Sequence, residues 1–519
     1  MARRRRPYRM EEFRGENNRD SLTNQRIYGG NKAKLYRMRN YHLIGYGRGR
    51  KRYGYTGYVT PKIDGSNAVQ GLQMYEFGAL RKLCGISNGK LKSFTEGSDV
   101  WANHTGSLVL DATDATQHRF GNFTDGTTEY MLGTDGVNPP YAWDGVNNAV
   151  TWASLGPGAP TIATDVKEYH GYMLSLYKHS ITYSAYGRFD WTDQNVIDAT
   201  RDSNGLALEQ HSKDAVLAFY ERQVYRIMFN EREGPTFLSF PVEGSEPCIS
   251  KQSIATKDGW TYYATRRGIR RIGLRGESWR DEFIGREIEQ YWDSLNRGRL
   301  DKIVAIPRGE PWNEVLFLVT EGATNSQNNA ILCWNTQIDG WTIWPPSNTG
   351  TKMLFATGTN FVDSSGIPRT IMGDYSGNVY DCFGHNLADT TFTDDGATIR
   401  TEFSTGFLDF GYKGVKGLRQ IILDLEAPDT KTFSILIEAM GKSPIFSGTF
   451  KAGAGGGILD VDFMLDESVL SVGSVTQAQM PLKSAGRYFS IELTETDTDS
   501  AHVISALTLP WVVKGMRMV

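Results

Sequence analysis

Residues 258–272 read DGWTYYATRRGIRRI and contain the pattern that decides the fold. Asp258-Gly259 is a tight-turn signal, because type I′ turns need a positive φ at both central residues. The aromatic and β-branched residues on either side of Arg266-Arg267-Gly268 are typical of short strands. The stretch therefore predicts short antiparallel strands joined by tight turns.

The same pattern recurs from about residue 59 to residue 398, where short apolar runs alternate with Gly beside Asp or Asn. Hairpins over that length favour a β-propeller, at about 45 residues for each four-stranded blade. We predict an all-β chain in which residues 59–398 form a β-propeller of about seven blades. A large β-sandwich or a β-solenoid is the structural alternative. The clearest predicted strands are Leu80–Ile86, Glu129–Leu132, Ala215–Tyr220, Val315–Val319 and Ile331–Asn335.

One stretch departs from the β pattern. Asp281–Asn296 (DEFIGREIEQYWDSLN) places apolar residues at helical spacing, which predicts one amphipathic helix packed on the propeller. From about 399 to 519 the sequence pattern is again typical of β-strands. Apolar and polar residues alternate at Phe433–Glu438 and Tyr488–Leu493, and residues 451–457 form a glycine-rich loop. We predict a C-terminal β-sandwich-like domain over 399–519.

The charge is divided unevenly along the chain. Residues 1–52 hold sixteen Lys and Arg against four acidic residues, a net charge of +12, whereas the other 467 residues carry 40 bases and 55 acids, a net charge of −15. We interpret residues 1–58 as a basic N-terminal arm that orders against a neighbour, which is either an acidic protein face or nucleic acid. The candidate contacts with such a partner or with DNA are Arg3, Arg4, Arg5, Arg6, Arg9, Arg48, Arg50, Lys51 and Arg52.

Other classes of function lack sequence support. The longest apolar runs have five or six residues, far short of the roughly 20 that a membrane span needs, and no export signal is visible. Gly441-Lys442-Ser443 lacks the first glycine of a phosphate loop, and HExxH and GxSxG motifs are absent. The four cysteines form no CxxC pair and the eight histidines do not cluster. We therefore expect no enzyme activity, no cofactor and no metal site.

Several short stretches of the sequence together resemble the tail hub, or nozzle, proteins of short-tailed bacteriophages. These proteins are also called DNA-stabilisation or tail tubular proteins. Residues 13–21 (FRGENNRDS) resemble the start of that family, and residues 308–319 (RGEPWNEVLFLV) look like its propeller strands. Residues 373–382 (GDYSGNVYDC) are similar to a blade-closing hairpin, and residues 405–411 resemble the entry to its C-terminal domain. The likeness covers most of the chain.

The resemblance implies a non-enzymatic structural protein of the virion tail, assembled in the host bacterial cytoplasm. Such proteins form a homo-oligomeric ring, commonly a hexamer, below the portal and its head-to-tail adaptor. The ring encloses the channel through which double-stranded DNA leaves, and it anchors tail fibres or spikes. An acidic body suits this function, because a negative lumen retains DNA without trapping it.

Two other functions stay open at the level of sequence. The first is a receptor-binding or glycan-processing propeller on the phage tail, for which Asp111, Asp114 or Asp374 could serve in a central funnel. The second is a nucleic-acid scaffold that binds through the Arg/Tyr-rich arm. On the ring hypothesis, deleting residues 1–12 is expected to weaken docking while the propeller stays folded.

Overall fold

The structure is a computed structural model. It describes residues 7–17, 32–45, 47–78, 80–192, 195–200, 202–230, 236–276, 278–345, 353–385, 389–408, 410, 414–427, 431–439, 446–452, 476–496 and 501–513. The architecture is all-β and contains a β-propeller, as the hairpin pattern predicts. Within the described ranges, no helix has both the length and the apolar character that crossing a bilayer requires.

The N-terminal region contributes six strands before the propeller begins. They are β1 (Tyr8–Glu16), β2 (Lys32–Leu35), β3 (Arg37–Arg39), β4 (Tyr41–Ile44), β5 (Arg48–Lys51) and β6 (Tyr55–Val59).

Five antiparallel four-stranded sheets follow in chain order, each a simple meander. The first is β7 (Val69–Phe77), β8 (Leu80–Ser87), β9 (Lys90–Thr95) and β10 (Trp101–Asn103). The second is β11 (Arg119–Thr124), β12 (Glu129–Thr134), β13 (Tyr141–Trp143) and β14 (Val150–Thr151). The third is β15 (Asp165–Tyr169), β16 (Tyr172–Tyr177), β17 (Ser180–Tyr183) and β18 (Val196–Asp198). The fourth is β19 (Gly205–Ser212), β20 (Ala215–Tyr220), β21 (Val224–Asn230) and β22 (Thr236–Pro241). The fifth is β23 (Ala255–Lys257), β24 (Trp260–Thr265), β25 (Gly268–Arg275) and β26 (Ser278–Phe283).

Two further groups of strands complete this part of the chain. The first is an antiparallel meander of β27 (Val304–Arg308), β28 (Glu314–Val319), β29 (Ala330–Asn335) and β30 (Gly340–Trp344). The second contains β31 (Phe355–Val362), β32 (Pro368–Asp374), β33 (Val379–Cys382), β34 (Thr393–Asp394) and β35 (Ala397–Thr398). In this second group the N-terminal strand β6 pairs antiparallel with β33, so the start of the chain joins the end of the propeller. Together with the five meanders, this sheet makes six blades that are separate sheets.

Eight strands form the C-terminal part of the chain. They are β36 (Thr401–Ser404), β37 (Lys416–Glu426), β38 (Lys431–Ala439), β39 (Phe446–Ala452), β40 (Thr476–Gly486), β41 (Phe489–Glu495), β42 (Val503–Leu509) and β43 (Trp511–Val513). Pairing runs in two rows, β40–β37–β42–β1–β2 and β39–β38–β41–β36–β3. Side chains from both rows share one hydrophobic core, which includes Phe13, Met38, Leu423, Ile435 and Ile491.

The N-terminal segment is therefore folded into the body where the structure describes it. β1 pairs antiparallel with β42, and β3 pairs with β36. Gly15 of β1 lies so close to β30 that a Cβ added there would be 2.2 Å from the carbonyl oxygen of Trp341. A side chain at position 15 would therefore separate the two strands. The expectation of an arm that orders only against a neighbour does not describe residues 7–17, 32–45 and 47–58.

The predicted helix over Asp281–Asn296 is wrong in its extent. Residues up to Phe283 belong to β26, because that strand pairs with β25 as far as Arg270. A 3₁₀ turn over Gly285–Ile288 follows, and the α-helix α1 covers only Glu289–Asp293. Four apolar residues of the pattern are buried nonetheless, since Ile288, Tyr291, Trp292 and Leu295 belong to one core cluster. Two further 3₁₀ segments lie at Trp152–Ser154 and Arg297–Lys302.

Candidate functional site

Three of the predicted basic contacts lie at the surface of the N-terminal strands. Arg9 is 45% exposed and its guanidinium lies 3.0 Å from the carboxylate of Asp424. Arg48 is 41% exposed and lies 2.7 Å from Glu426. Arg50 donates a hydrogen bond to the hydroxyl of Tyr53. All three retain some exposed surface for a partner, whereas Arg3, Arg4, Arg5 and Arg6 lie outside the described residues.

Lys51 and Arg52 are fully buried, which excludes them from a surface contact with DNA or with a protein partner. The ammonium of Lys51 lies 2.9 and 3.0 Å from the two carboxylate oxygens of Glu495 on β41. The guanidinium of Arg52 makes a bidentate pair with Asp394 on β34, at 2.6 and 2.8 Å. Burial requires such pairing, because an isolated charge away from water is strongly unfavourable. These two residues hold the N-terminal segment to both halves of the molecule.

A third buried network joins β4 to β28. The Nδ1 atom of His42 lies 2.8 Å from Oε1 of Glu314, and Arg308 lies 3.0 Å from Oε2 of the same carboxylate. The imidazole of His42 also stacks on Trp312, with ring centroids 4.2 Å apart. Although burial acts to raise it, the pKa of Glu314 is lowered by His42 and Arg308. The network therefore favours an ionised Glu314 in the interior.

Glu16 at the end of β1 shows the opposite behaviour. It is 1% exposed and accepts a hydrogen bond from the backbone N–H of Met38 at 3.2 Å. Burial raises the pKa of Glu16 from 4.5 to about 7. Between these two values the folded protein keeps a proton that the unfolded chain has released. The contribution of Glu16 to stability is therefore fully present below pH 4.5 and is lost as the pH rises through 7.

Replacing Glu16 with glutamine is expected to remove this pH dependence. Relative to the variant, the wild-type free energy of unfolding should fall by roughly 3 kcal/mol between pH 4 and pH 8. Urea unfolding at a series of pH values measures the difference. Glu11→Gln, on the same strand but one-third exposed, is the matched control and should change the curve little. Parallel curves for wild type and Glu16→Gln would contradict the assignment.

An arginine-lined groove on the propeller is not among the sites predicted from the sequence. Arg266, Arg267, Arg286 and Arg297 are exposed around a cavity of about 420 Å³. Two acidic residues compensate part of the positive charge of the groove. Glu246 lies 3.5 Å from Arg267, and Asp293 forms an ion pair with Arg297. Arginine forks bind phosphate and carboxylate groups well, so the groove is a basic surface on an otherwise acidic body. The signal in the sequence was the density of arginine between residues 266 and 299.

The innermost strands of the propeller surround an axial cavity of about 200 Å³. The two cations of its lining are paired with carboxylates. Arg119 lies 3.0 Å from the buried Asp165 behind the lining and 3.2 Å from Glu209, and Lys167 lies 3.5 Å from Glu209. The carboxylates of Asp165 and Glu209 therefore both form ion pairs. We call this space the axial cavity.

The three aspartates considered for a catalytic funnel have local structural contacts. Asp111 accepts hydrogen bonds from Thr113 and Thr116, which lower its pKa. Asp374 accepts backbone N–H groups of the turn between β32 and β33, and Asp114 accepts the N–H of Ala68. Such contacts are typical of aspartate in turns. Among the described residues, no group of three or more His, Cys, Asp or Glu is arranged to hold a metal ion.

Comparison with known proteins identifies no family. No protein-family model matches the chain, and no curated protein matches it. Among solved structures, the WD40 β-propeller domain of Doa1 is 10% identical, with 65% of this chain and 98% of that chain covered and a TM-score of 0.39. A chain of the mitotic checkpoint complex is 9% identical, with 65% and 94% covered and a TM-score of 0.41. The extracellular domain of BT4673 from B. thetaiotaomicron is 10% identical, with a TM-score of 0.42; 88% of this chain and 62% of that chain are covered. At these values the likenesses concern the fold and assign no function.

Proposed function

We propose that the protein is a structural component of a bacteriophage tail, a hub or nozzle that forms a homo-oligomeric ring below the portal and adaptor. The observation that carries the proposal is the construction of the two ends of the chain. The basic N-terminal strands and the C-terminal strands share one hydrophobic core. Strands β1 and β3 also pair with β30 of the propeller region. The described N-terminal and C-terminal strands therefore form one platform that pairs with the propeller region.

Within this proposal the propeller has seven blades, with the β27–β30 meander as the additional one. Two hydrophobic clusters support this count. Phe317 and Leu332 of the meander pack with Tyr262 and Ile269 of the fifth four-stranded sheet. On its opposite face, Leu316 and its neighbours pack with β31–β33 residues such as Phe355 and Met372. This packing on both faces supports the proposal that the meander is a blade between two others.

We infer the domain boundaries from the same pairings. The propeller comprises residues 59–398 together with β6, which supplies a strand to its last blade. The platform comprises residues 399–519 together with β1 to β5, and it has the two-row arrangement of a β-sandwich. The platform carries the basic residues near the start of the chain and is the part that meets the adaptor. DNA passes through the ring's lumen, and the outward propellers hold fibres or spikes.

Deleting residues 1–6 tests the contact between the platform and the adaptor. We expect the deletion to weaken docking on a purified portal–adaptor complex at least tenfold, because it removes four arginines that supply charge at the proposed interface. Surface plasmon resonance at two salt concentrations measures the change. A deletion of residues 1–12 is unsuitable, since it removes Met10, which is 2% exposed in the platform core.

The matched control for this deletion is a variant of the arginine-lined groove on the propeller. Arg266→Ala and Arg267→Ala together remove two exposed charges outside the platform strands and should leave docking unchanged. Equal docking by the wild type and the shortened chain would contradict the proposed contact. Loss of docking in the groove variant alone would move the contact to the propeller.

A further inference from the structure

Hydrogen bonds between distant blades lie at one end of the axial cavity. The side chain of Gln252 donates to the carbonyl oxygen of His118 at 2.8 Å, and the ammonium of Lys302 donates to that of Ala115 at 2.9 Å. His118, Gln252 and Lys302 each lie just before an inner strand, namely β11, β23 and β27. Since the inner strands of a propeller run in the same direction, these contacts lie at the same end of the axis. These contacts place polar groups at one end of the cavity, which we call its floor.

Polar atoms at this floor are not satisfied by the described part of the protein. Gln252 and His118 are 8% and 1% exposed and both line the cavity. The Oε1 atom of Gln252 and both ring nitrogens of His118 find no hydrogen-bond partner among the described residues. A buried polar atom left in this state costs about 1–3 kcal/mol. The floor therefore carries hydrogen-bonding atoms that the described part of the chain leaves unpaired.

The imidazole of His118 is neutral at physiological pH. Burial lowers its pKa from 6.5 to about 4. One ring nitrogen then donates a hydrogen bond and the other accepts one. Gln252 Oε1 only accepts. A hydroxyl group satisfies both requirements, because it donates and accepts through the same oxygen.

The side chains that line the walls of the axial cavity favour a neutral ligand over an ionic one. Phe120, Ile254 and Pro307 supply apolar surface, and Thr256, Thr357 and Thr359 supply hydroxyl-bearing side chains. The cations at the lining are already paired, because Arg119 contacts Asp165 and Glu209, and Lys167 contacts Glu209. An ionic ligand would disrupt these pairs. A neutral ligand with hydroxyl groups and one apolar face matches the lining.

We propose that the axial cavity binds one compact, neutral, hydroxyl-rich ligand of the size of a single hexose. Ligand hydroxyls donate to the Gln252 amide oxygen and exchange hydrogen bonds with His118, while the C–H face of the sugar ring packs on the apolar wall. A cavity of about 200 Å³ accommodates about six water molecules, and a hexose replaces them. The inference does not depend on the ring-forming function.

A direct test is titration of the full-length protein with D-glucose, D-galactose and D-mannose. The eight histidines are labelled with ¹⁵N and their ring signals are followed by NMR. We expect at least one hexose to shift the signals of His118 saturably at millimolar concentration, with the exposed His179 as the internal control. Inorganic phosphate, the charged probe, should leave His118 unchanged. If none of the hexoses shifts His118, the cavity holds water alone and the proposal is overturned.

A pair of variants tests the role of the floor. Gln252→Met keeps the side-chain length but removes the amide oxygen, and it should weaken hexose binding at least tenfold. Gln223→Met, at a glutamine outside the cavity, is the matched control and should bind as the wild type does. Unchanged affinity in Gln252→Met would overturn the assignment. Should Gln252→Met fail to fold, the wild-type titration alone decides.

Discussion

Replacing Arg52 with alanine is expected to lower the free energy of unfolding by about 3–5 kcal/mol. The substitution leaves the carboxylate of Asp394, which is 0% exposed, without its bidentate partner. It also removes the hydrogen bond that Arg52 donates to the side chain of Asn40 at 2.7 Å. Breaking one side of a buried pair is costly, because the remaining charge has no water to solvate it. Urea unfolding followed by tryptophan fluorescence measures the loss.

Arg48→Ala is the matched control for this prediction. Arg48 also pairs with a carboxylate, that of Glu426, but both side chains are partly exposed. Solvent-exposed pairs contribute about 0–1 kcal/mol, so the control should lose no more than that. A loss in Arg52→Ala as small as the loss in Arg48→Ala would contradict the buried location of Arg52. The comparison separates burial from charge, since both variants remove one arginine from the same basic segment.

Phe13→Ala is expected to lower the free energy of unfolding by about 3–5 kcal/mol as well. Phe13 lies on β1, is 0% exposed and packs edge-on against Phe403 of β36, with ring centroids 5.1 Å apart. Truncation removes buried apolar surface and leaves a cavity in the core that both rows of the platform share. Thermal unfolding measured by calorimetry should show the loss in the transition of the platform.

Phe77→Ala is the control for this second prediction, since Phe77 is 45% exposed on the propeller. The control should cost less than about 1 kcal/mol. If Phe13→Ala were as mild as Phe77→Ala, the N-terminal strand would not belong to the platform core. The original interpretation of an arm that orders only against a neighbour would then be restored.

The propeller could be predicted from the sequence because its determinants are local. Asn88 and Asp258, each followed by glycine, adopt φ of 53° and 51° in the turns where the hairpin pattern placed them. The runs Ala215–Tyr220 and Val315–Val319 are strands with every residue buried. Turn chemistry and apolar runs act within about ten residues of each other, so a single sequence contains all the information needed.

The role of the N-terminal segment could not be predicted in this way. Its contacts join residues that lie hundreds of positions apart, as Lys51 does with Glu495 and Arg52 with Asp394. A run of basic residues has the same appearance in a sequence whether it meets solvent or a buried carboxylate. The strands β3 and β5 are also short and carry little periodicity, so pairing with the C-terminal strands decides their structure.

The arginine-lined groove and the axial cavity also differ in whether their residues lie close together in the sequence. The arginine-lined groove lies within one segment of sequence, where the density of arginine could have indicated it. The axial cavity collects residues from distant parts of the chain, between Leu72 and Thr359, and Gln252 has no local feature that marks it. Only the closed arrangement of the blades brings Gln252 to the backbone of His118.

The most direct test of the ring proposal is electron-microscopic imaging of the purified chain, alone and after mixing with a portal–adaptor complex. The proposal predicts a closed ring of six copies, each of 58.0 kDa, stacked coaxially on the adaptor with the platforms inward and the propellers outward. Single propeller-bearing monomers that do not bind the adaptor would contradict it.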